Sequence, residues 1–380
     1  MIPCQRHLFD IPENIAYFNC GYMSPQLKSV RDAGHLGVDC KSAPWKVYPN
    51  DFFDGPNKAR LLFAELVGAT PADIAIIGSA SYGLATAARN VPAKAGQKIL
   101  LLKDQFPSNV YCWQELSKKT GAEIVTLETP ADSDWTRAVL EAIDGSVAVA
   151  ALPHCHWTDG ALLDLEAIGK KLRANDAKLV LDITQSIGAL PIDVAKVKPD
   201  FLIAACYKWM LGPYSLGFMY VAPECQNGEP LEHNWISRAG SENFAGLVDY
   251  QDTYQPGADR FDMGERANFA QMPMAIAALE QLLDWTPESI QETLRALTDD
   301  IAEKCVPLGL TSPPRELRAG HFLGLRHPRG LPKDLLEILL ADNIYISVRG
   351  SSLRITPHLF NNETDIDRLV DALSSALKRR

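Results

Sequence analysis

Short apolar runs alternate with longer, mixed stretches over the central part of the chain. The runs that end in turn residues are Ile74–Ile77, Ile99–Leu102, Glu123–Leu127, Ser146–Leu152, Leu179–Leu181, Phe201–Cys206 and Gly217–Val221. Apolar runs of this length are typical of strands that are buried in an α/β sheet. The stretches between them predict helices over 84–89, 106–116 and 164–175. Strand and helix therefore follow one another as in a mostly parallel, wound sheet.

The pattern changes on both sides of this region. Helices are predicted over 26–38, 56–66 and 270–285. From residue 288 onward we expect helices over 291–303, 333–342 and 365–377, with strands over 321–327, 344–347 and 352–356. This is the pattern of an α+β unit. We expect a large domain over 19–268 and a smaller one formed by 1–18 and 269–380.

Composition narrows the class of protein. Hydrophobic residues make up 47% and charged residues 22% of the chain, as in an ordinary soluble enzyme. The net charge of −10 argues against nucleic acid or an anionic membrane surface as the main partner. No apolar run reaches the ~18 residues that a membrane span needs. The eight cysteines are scattered, which favours reduced thiols in the cytoplasm.

Two charged residues follow neighbouring strands. Asp182 ends the run at 179–181, and Lys208 comes just after the run at 201–206. Ligands of α/β sheets bind beyond the carboxyl ends of the strands, so these side chains should lie close together. Pyridoxal phosphate (PLP) needs this combination, because a lysine holds its aldehyde as an imine and an acid pairs with its ring nitrogen.

Two further features fit a cofactor pocket. Ser79, Ala80 and Ser81 lie between a strand and a helix, where free backbone N–H groups can bind a phosphate, although serine is also an ordinary capping residue. Phe106 follows the strand at 99–102 and is either a ring that stacks on a flat cofactor or a core residue.

Other polar residues leave alternatives open. His154 and His156 would share a strand face, but no third metal ligand stands at a suitable spacing, so a rim histidine that serves a cofactor or substrate is favoured over a metal site. Arg354 interrupts an apolar strand and is either an edge salt bridge or a carboxylate receptor; the bare sequence favours the salt bridge. The segment around Asn19 is expected to lie across a cleft.

The strongest motif is Asp182-Ile183-Thr184-Gln185-Ser186-Ile187-Gly188, followed by Tyr207-Lys208-Trp209 and Gly212-Pro213. With these residues the chain resembles the fold-type-I PLP enzymes of the class-V aminotransferase family, which includes kynureninase, isopenicillin N epimerase and cysteine desulfurases. The resemblance covers nearly the whole chain and implies an α/β fold with a mostly parallel seven-stranded sheet and a smaller C-terminal α+β domain.

The resemblance also implies roles for individual residues. Lys208 would form the internal aldimine, with Asp182 at the ring nitrogen and Gln185 at the ring oxygen. Ser79, Ala80, Ser81 and Tyr207 would contact the phosphate, and Phe106 would stack on the ring. Arg354, Asn19 and Trp157 would contact the substrate, and no metal is expected.

The implied activity is that of a class-V aminotransferase acting on a small amino acid. A β-lyase, a kynureninase-like hydrolase and an epimerase are the alternatives, and a non-catalytic PLP-fold binding protein is least favoured. A desulfurase is disfavoured because residues 347–353 contain no cysteine. The resemblance further implies a homodimer with residues 234–268 near the neighbouring subunit, where Arg266 or Asn268 would replace the family's usual phosphate contact across the interface.

Overall fold

A seven-stranded sheet lies at the centre of the computed structural model, which describes residues 1–378. The strands of the chain are β1 (Ala16–Tyr17), β2 (Ile74–Ile77), β3 (Lys98–Leu102), β4 (Glu123–Leu127), β5 (Val147–Pro153), β6 (Lys178–Asp182), β7 (Phe201–Ala205), β8 (Gly217–Val221), β9 (Leu323–Leu325), β10 (Ile344–Tyr345), β11 (Ser347–Arg349) and β12 (Ser352–Ile355). The central sheet has the order β2-β8-β7-β6-β5-β3-β4.

Only β8 runs against its neighbours β2 and β7 in this sheet, and the remaining pairs are parallel. The predicted α/β class with a mostly parallel seven-stranded sheet is thus confirmed. Because β8 is reversed, its amino end lies at the same rim as the carboxyl ends of the other strands. All strands of the sheet can therefore contribute loops to one site.

Helices surround the sheet. They are α1 (Lys28–Ser42), α2 (Asp51–Val67), α3 (Ala80–Asn90), α4 (Ser108–Thr120), α5 (Trp135–Ala142), α6 (Leu165–Arg173), α7 (Val194–Val197), α8 (Gln271–Trp285), α9 (Pro287–Cys305), α10 (Leu335–Ala341) and α11 (Glu363–Lys378). The sequence prediction missed α5 and began α2 at Pro56, which in fact lies inside the helix.

Alternate residues of the central strands enter two separate cores. On β3, Leu100 and Leu102 belong to one buried cluster, whereas Ile99 and Leu101 belong to another. This is the side-chain alternation of a strand that is covered on both faces. In α3, a methyl group at Gly83 would meet Ile203 at 2.9 Å, so glycine lets the helix pack closely on the sheet and fixes its N-terminus at the rim.

The C-terminal part of the chain forms its own sheet, with the order β11-β12-β9. Its buried side chains belong to a third cluster, which also includes Ala16 and Phe18 from the N-terminal arm. The arm joins this part through the parallel pair β1 and β10. The strands predicted over 344–347 and 352–356 imply a turn over 348–351, but Val348 and Arg349 lie in β11 and the turn is confined to 350–351. The proposed domain boundaries stay a prediction.

Candidate active site

One cavity opens at the rim where β2, β3, β5, β6 and β7 end and β8 begins. Its lining includes nine of the residues singled out from the sequence, namely Ser79, Ala80, Ser81, Phe106, Trp157, Asp182, Gln185, Tyr207 and Lys208. Asn19 and Arg354 lie outside this lining. The topology thus brings together residues that are far apart in the chain, as the rim argument predicts.

Lys208 follows β7 and is only 6% exposed. Its Nζ lies 5.2 Å from the centre of the Phe106 ring and 5.4 Å from that of Tyr207, and it makes no hydrogen bond or ion pair with residues 1–378. The pKa of Lys208 is lowered to about 8, chiefly because the amine is buried; Asp182 opposes this shift, whereas the charges of Arg354 and Arg349 contribute to it. An amine with this pKa is partly unprotonated near neutral pH and can act as a nucleophile or base.

Asp182 ends β6 and is buried. One carboxylate oxygen accepts a hydrogen bond from the backbone N–H of Thr184 at 3.1 Å. Burial raises the pKa of Asp182, and the Thr184 hydrogen bonds and the charge of Lys208 oppose this. No cation of the described chain lies within ion-pair distance. A buried carboxylate without a partner is costly, so the site favours a ligand that presents a cationic N–H group here.

Two helices point their N-termini at the opposite end of the cavity. Ser79 caps α3 by accepting a hydrogen bond from the Tyr82 N–H at 3.1 Å. Ser81 Oγ donates to Ser108 Oγ, at the start of α4, at 2.8 Å. Next to it, Asn109 lines the cavity with a buried amide nitrogen that has no partner. The free Asn109 donor and the two positive helix ends can hold an anion such as a phosphate group.

Aromatic rings form the walls between these two ends. Phe106 packs edge-on against Trp157, with ring centres 5.4 Å apart. Tyr207 packs on Tyr214 at 4.6 Å. Trp157 is held because its indole N–H donates to the carbonyl of Asp104 at 2.5 Å. Phe106 is half-buried and faces the cavity, so it is not a core residue.

Residues 19–24, which we call the N-terminal strap, close one side of the site. The Cys20 and Gly21 N–H groups donate to Thr356, after β12, and the Ser24 N–H donates to the carbonyl of Tyr207. Gln185 Nε2 donates to the Gly21 carbonyl at 3.0 Å. The strap therefore lies across the cleft as expected from the sequence.

Asn19 and Gln185, on and beside the strap, differ in whether their side-chain amides can still form a hydrogen bond with a ligand. The Asn19 side-chain oxygen is buried without a partner, so it is available to a ligand. The Gln185 amide is engaged at both ends, because its oxygen also accepts a hydrogen bond from the Trp209 indole at 3.2 Å.

Arg354 lies on β12 and is 1% exposed. It donates to Ser347 Oγ at 2.9 Å and to the carbonyl of Trp157 at 3.4 Å, while Nη2 is buried without a partner. Burial lowers the pKa of Arg354 to about 9, and the charge of Arg349 adds to this. The salt bridge that the bare sequence favoured is wrong, because no acidic side chain of residues 1–378 pairs with this guanidinium.

The histidine hypothesis also needs correction. Both ring nitrogens of His156 are occupied, by Thr158 Oγ1 at 2.7 Å and the Lys103 carbonyl at 2.9 Å, and the ring stacks on Trp135. Neither His156 nor His154 lines the cavity. His156 is thus a packing residue at the rim rather than a cofactor ligand. Within the described chain, no three His, Cys, Asp or Glu side chains come together as a metal site would require.

Arg266 is not free to replace a phosphate contact. Arg266 is 1% exposed, and its guanidinium forms ion pairs with Asp259, at 3.1 Å, and with Asp262. Asp262 in turn pairs with Arg60 and accepts the Ile76 N–H at 2.7 Å. This network holds the loop before α8 against the edge strand β2. The side chain of Asn268, the other suggested substitute, is engaged with Gln271: its oxygen accepts from the Gln271 N–H at 3.1 Å, and its Nδ2 donates to Gln271 Oε1 at 3.0 Å.

The sequence analysis missed several residues of the site. Thr184 holds Asp182, and Asn109 and Tyr214 complete the cavity wall. Arg349 stands beside Trp157, with its guanidinium carbon 5.8 Å from the indole. Residues two positions apart on a strand share a face, so a strand that continued past Ser347 would have placed Arg349 beside the site. The predicted turn over 348–351 concealed this.

Comparison with known proteins identifies the family. Residues 48–364 match the family described as Aminotransferase class-V. The chain belongs to this family. It is 25% identical over 333 residues to an uncharacterized aminotransferase, YcbU, of Bacillus subtilis, spanning 83% of this chain and 82% of that protein. It is also 25% identical over 335 residues to isopenicillin N epimerase of Streptomyces clavuligerus, spanning 84% and 83%.

The fold of the class-V chain matches solved structures. The apo structure of a cysteine desulfurase from Thermococcus onnurineus superposes with a TM-score of 0.87 over the whole of both chains, at 18% identity. This likeness concerns the fold.

Membership of the class-V family makes the protein an enzyme that uses pyridoxal phosphate as cofactor and a small molecule as substrate. The residues fit that cofactor, since the cavity offers an unpaired amine, an unpaired carboxylate and an orphaned buried amide. No helix within residues 1–378 has the length and apolar character of a bilayer span.

Proposed function

We propose that the protein is a PLP-dependent aminotransferase that acts on a small amino acid, with Lys208 as the lysine that holds the cofactor. The observation that carries the proposal is the Lys208 amine, which is buried, unpaired and lowered in pKa to about 8 in one cavity with Asp182 and Phe106. Retaining such unpaired groups in a buried site costs stability, so they are expected to serve a ligand.

Each end of the cavity suits one part of the cofactor. Bound PLP supplies an electron sink for charge that develops at the substrate Cα. Asp182 would hold the ring N–H, and Phe106 would pack against the ring face. The N-termini of α3 and α4, with Ser79, Ser81 and Asn109, would hold the phosphate. Tyr207 lies nearby on the wall.

Substrate would bind between Lys208 and the C-terminal sheet. Arg354 has a free Nη2 that can pair with the α-carboxylate, and the Asn19 oxygen can accept a hydrogen bond from the substrate. Trp157 lines the cavity and has its ring 5.9 Å from the Arg354 guanidinium carbon, so it would contact the bound amino acid. Lys208 Nζ would be the base that takes the Cα proton.

The fate of that proton distinguishes the possible reactions. Delivery of the proton by Lys208 to the cofactor would give transamination, whereas epimerisation would need a second group that donates a proton to the opposite face of Cα. A kynureninase-like hydrolase or β-lyase is the second candidate. Its support is the aromatic wall of Phe106, Trp157, Tyr207 and Tyr214, which suits a substrate with a flat side chain.

A half-reaction experiment tests the proposal. Holoenzyme is incubated with a panel of amino acids and no keto-acid acceptor. Stoichiometric pyridoxamine phosphate and one equivalent of keto acid are expected. Catalytic release of ammonia, pyruvate or anthranilate, without pyridoxamine phosphate, would replace the aminotransferase by the lyase or hydrolase. Racemised amino acid alone would indicate an epimerase.

We also propose a homodimer in which residues 234–268 face the neighbouring subunit. The support is apolar exposure in this loop: Trp235 is 42%, Val248 78% and Tyr250 93% exposed. Large exposed apolar side chains grouped in one segment are typical of an interface. Light scattering of wild type and Tyr250→Asp measures the mass; a wild-type monomer would contradict the homodimer.

A further inference from the structure

The hairpin of β11 and β12 places two arginines on one face. Ser347 pairs with Arg354, and Arg349 pairs with Ser352. Directly opposed residues of an antiparallel pair point to the same side, and so do residues two positions apart on one strand. Arg349, two residues after Ser347, therefore shares its face with Arg354. The Ser347–Arg354 hydrogen bond of 2.9 Å agrees with this geometry.

This face looks toward the candidate active site. The guanidinium carbons of Arg349 and Arg354 lie 5.8 Å and 5.9 Å from the Trp157 ring, and Trp157 lines the cavity that holds Lys208. Both arginines also act on Lys208 through their charge. The two guanidinium groups thus flank the region where the amino-acid substrate would bind.

Neither guanidinium has an acidic partner in the described part of the chain. Arg349 is half-buried, and the one hydrogen bond of its side chain runs from Nη1 to the carbonyl of Val348 at 2.8 Å. Arg354 keeps a buried, unpartnered Nη2, and the Ser352 hydroxyl on the same face is buried without a partner as well. Two positive charges exceed the single negative charge of one α-carboxylate, and the Ser352 hydroxyl is a further unpartnered group on this face.

We propose that Arg349 binds a second anionic group of the substrate, so that the preferred amino acid carries an acidic side chain. The inference rests on the proposed function, since Arg354 takes the α-carboxylate there. Arg349 is then a specificity-determining residue, which favours a dicarboxylic amino acid over its neutral amide. The β11–β12 hairpin fixes the spacing of the two anion sites because both arginines stand on the same strand pair.

A binding experiment tests this without any turnover. Succinate and butyrate have the same number of carbon atoms and differ in one carboxylate. Calorimetric titration of holoenzyme is expected to show succinate binding about 10- to 100-fold more tightly, the range for a charge-assisted hydrogen bond. Arg349→Gln should reduce this preference to within about threefold, while Arg349→Lys retains part of it. Arg137→Gln, on the exposed surface of α5, is the matched control and should keep the full preference.

Equal binding of succinate and butyrate by the wild type, or an unchanged preference in Arg349→Gln, would overturn the inference. A second measurement compares kcat/KM for aspartate with asparagine and for glutamate with glutamine. The wild type should favour the acids, and Arg349→Gln should shift the ratio toward the amides. If no amino acid reacts, the proposed aminotransferase fails, and the succinate titration still decides the role of Arg349.

Discussion

The buried amine of Lys208 should make cofactor uptake depend on pH in a particular way. Its pKa is lowered from the ordinary value of 10.5 to about 8, chiefly by burial. At pH 7.5 about a quarter of Lys208 is then unprotonated, against about a thousandth of an ordinary lysine. Since only the free amine attacks an aldehyde, Lys208 should react roughly 200-fold more readily than a solvated lysine on this ground alone.

The assay follows the visible band that appears when PLP is added to cofactor-free protein. The second-order rate constant is measured from pH 6.5 to 10.5, with Nα-acetyl-lysine as the reference amine. We expect the rate to fall as pH decreases through about 8, because Lys208 becomes an ammonium ion, whereas the reference falls at a much higher pH.

Substitution of a charged neighbour shows whether that neighbour raises or lowers the pKa of Lys208. Arg354→Gln removes a positive neighbour and should move the midpoint to higher pH, whereas Asp182→Asn removes a negative one and should move it lower. A wild-type midpoint above pH 10 would refute the argument that burial sets the reactivity of Lys208. Unshifted midpoints in both variants would refute the assigned charge contributions.

Two further predictions concern substrate binding and stability. Arg354→Gln should raise KM for α-carboxylate substrates about 10- to 100-fold with a smaller change in kcat, as steady-state kinetics would show; unchanged KM removes Arg354 from the site. Asp262→Asn should cost about 3–5 kcal/mol in urea unfolding, because Arg60 and Arg266 lose their fully buried partner. Asp144 forms an exposed ion pair with Lys98 and offers the control, because Asp144→Asn should lower the free energy of unfolding much less than Asp262→Asn. A similar loss in both variants would contradict the burial argument.

The central sheet was predictable because most of its strands are buried on both faces. The runs at 74–77 and 217–221 match β2 and β8 residue for residue, and every residue of these two strands is buried. A strand that is buried at every position has no alternation of apolar and polar residues. It is therefore a continuous apolar run, which can be recognised from neighbouring residues in the sequence. Asp182 and Lys208 could be placed together because parallel strands end at one rim.

Features set by distant contacts were not predictable. β1 and β10 have two residues each and exist because Ala16 and Tyr17 pair with Ile344 and Tyr345 from the far end of the chain. The sequence likewise does not show whether a polar side chain has a partner in the fold. Arg354 has no acidic partner within residues 1–378, whereas both ring nitrogens of His156 are engaged in hydrogen bonds. Arg349 was hidden by a turn placed two residues too early.

The central claim is that Lys208 carries the cofactor, and peptide mapping tests it most directly. Holoenzyme is reduced with borohydride, digested and analysed by mass spectrometry. We predict the phosphopyridoxyl label on Lys208, loss of label and of the visible band in Lys208→Ala, and retention of both in Lys178→Ala, at the opposite end of β6 from Asp182. Protein that takes up no PLP, or a label on another lysine, would contradict the account.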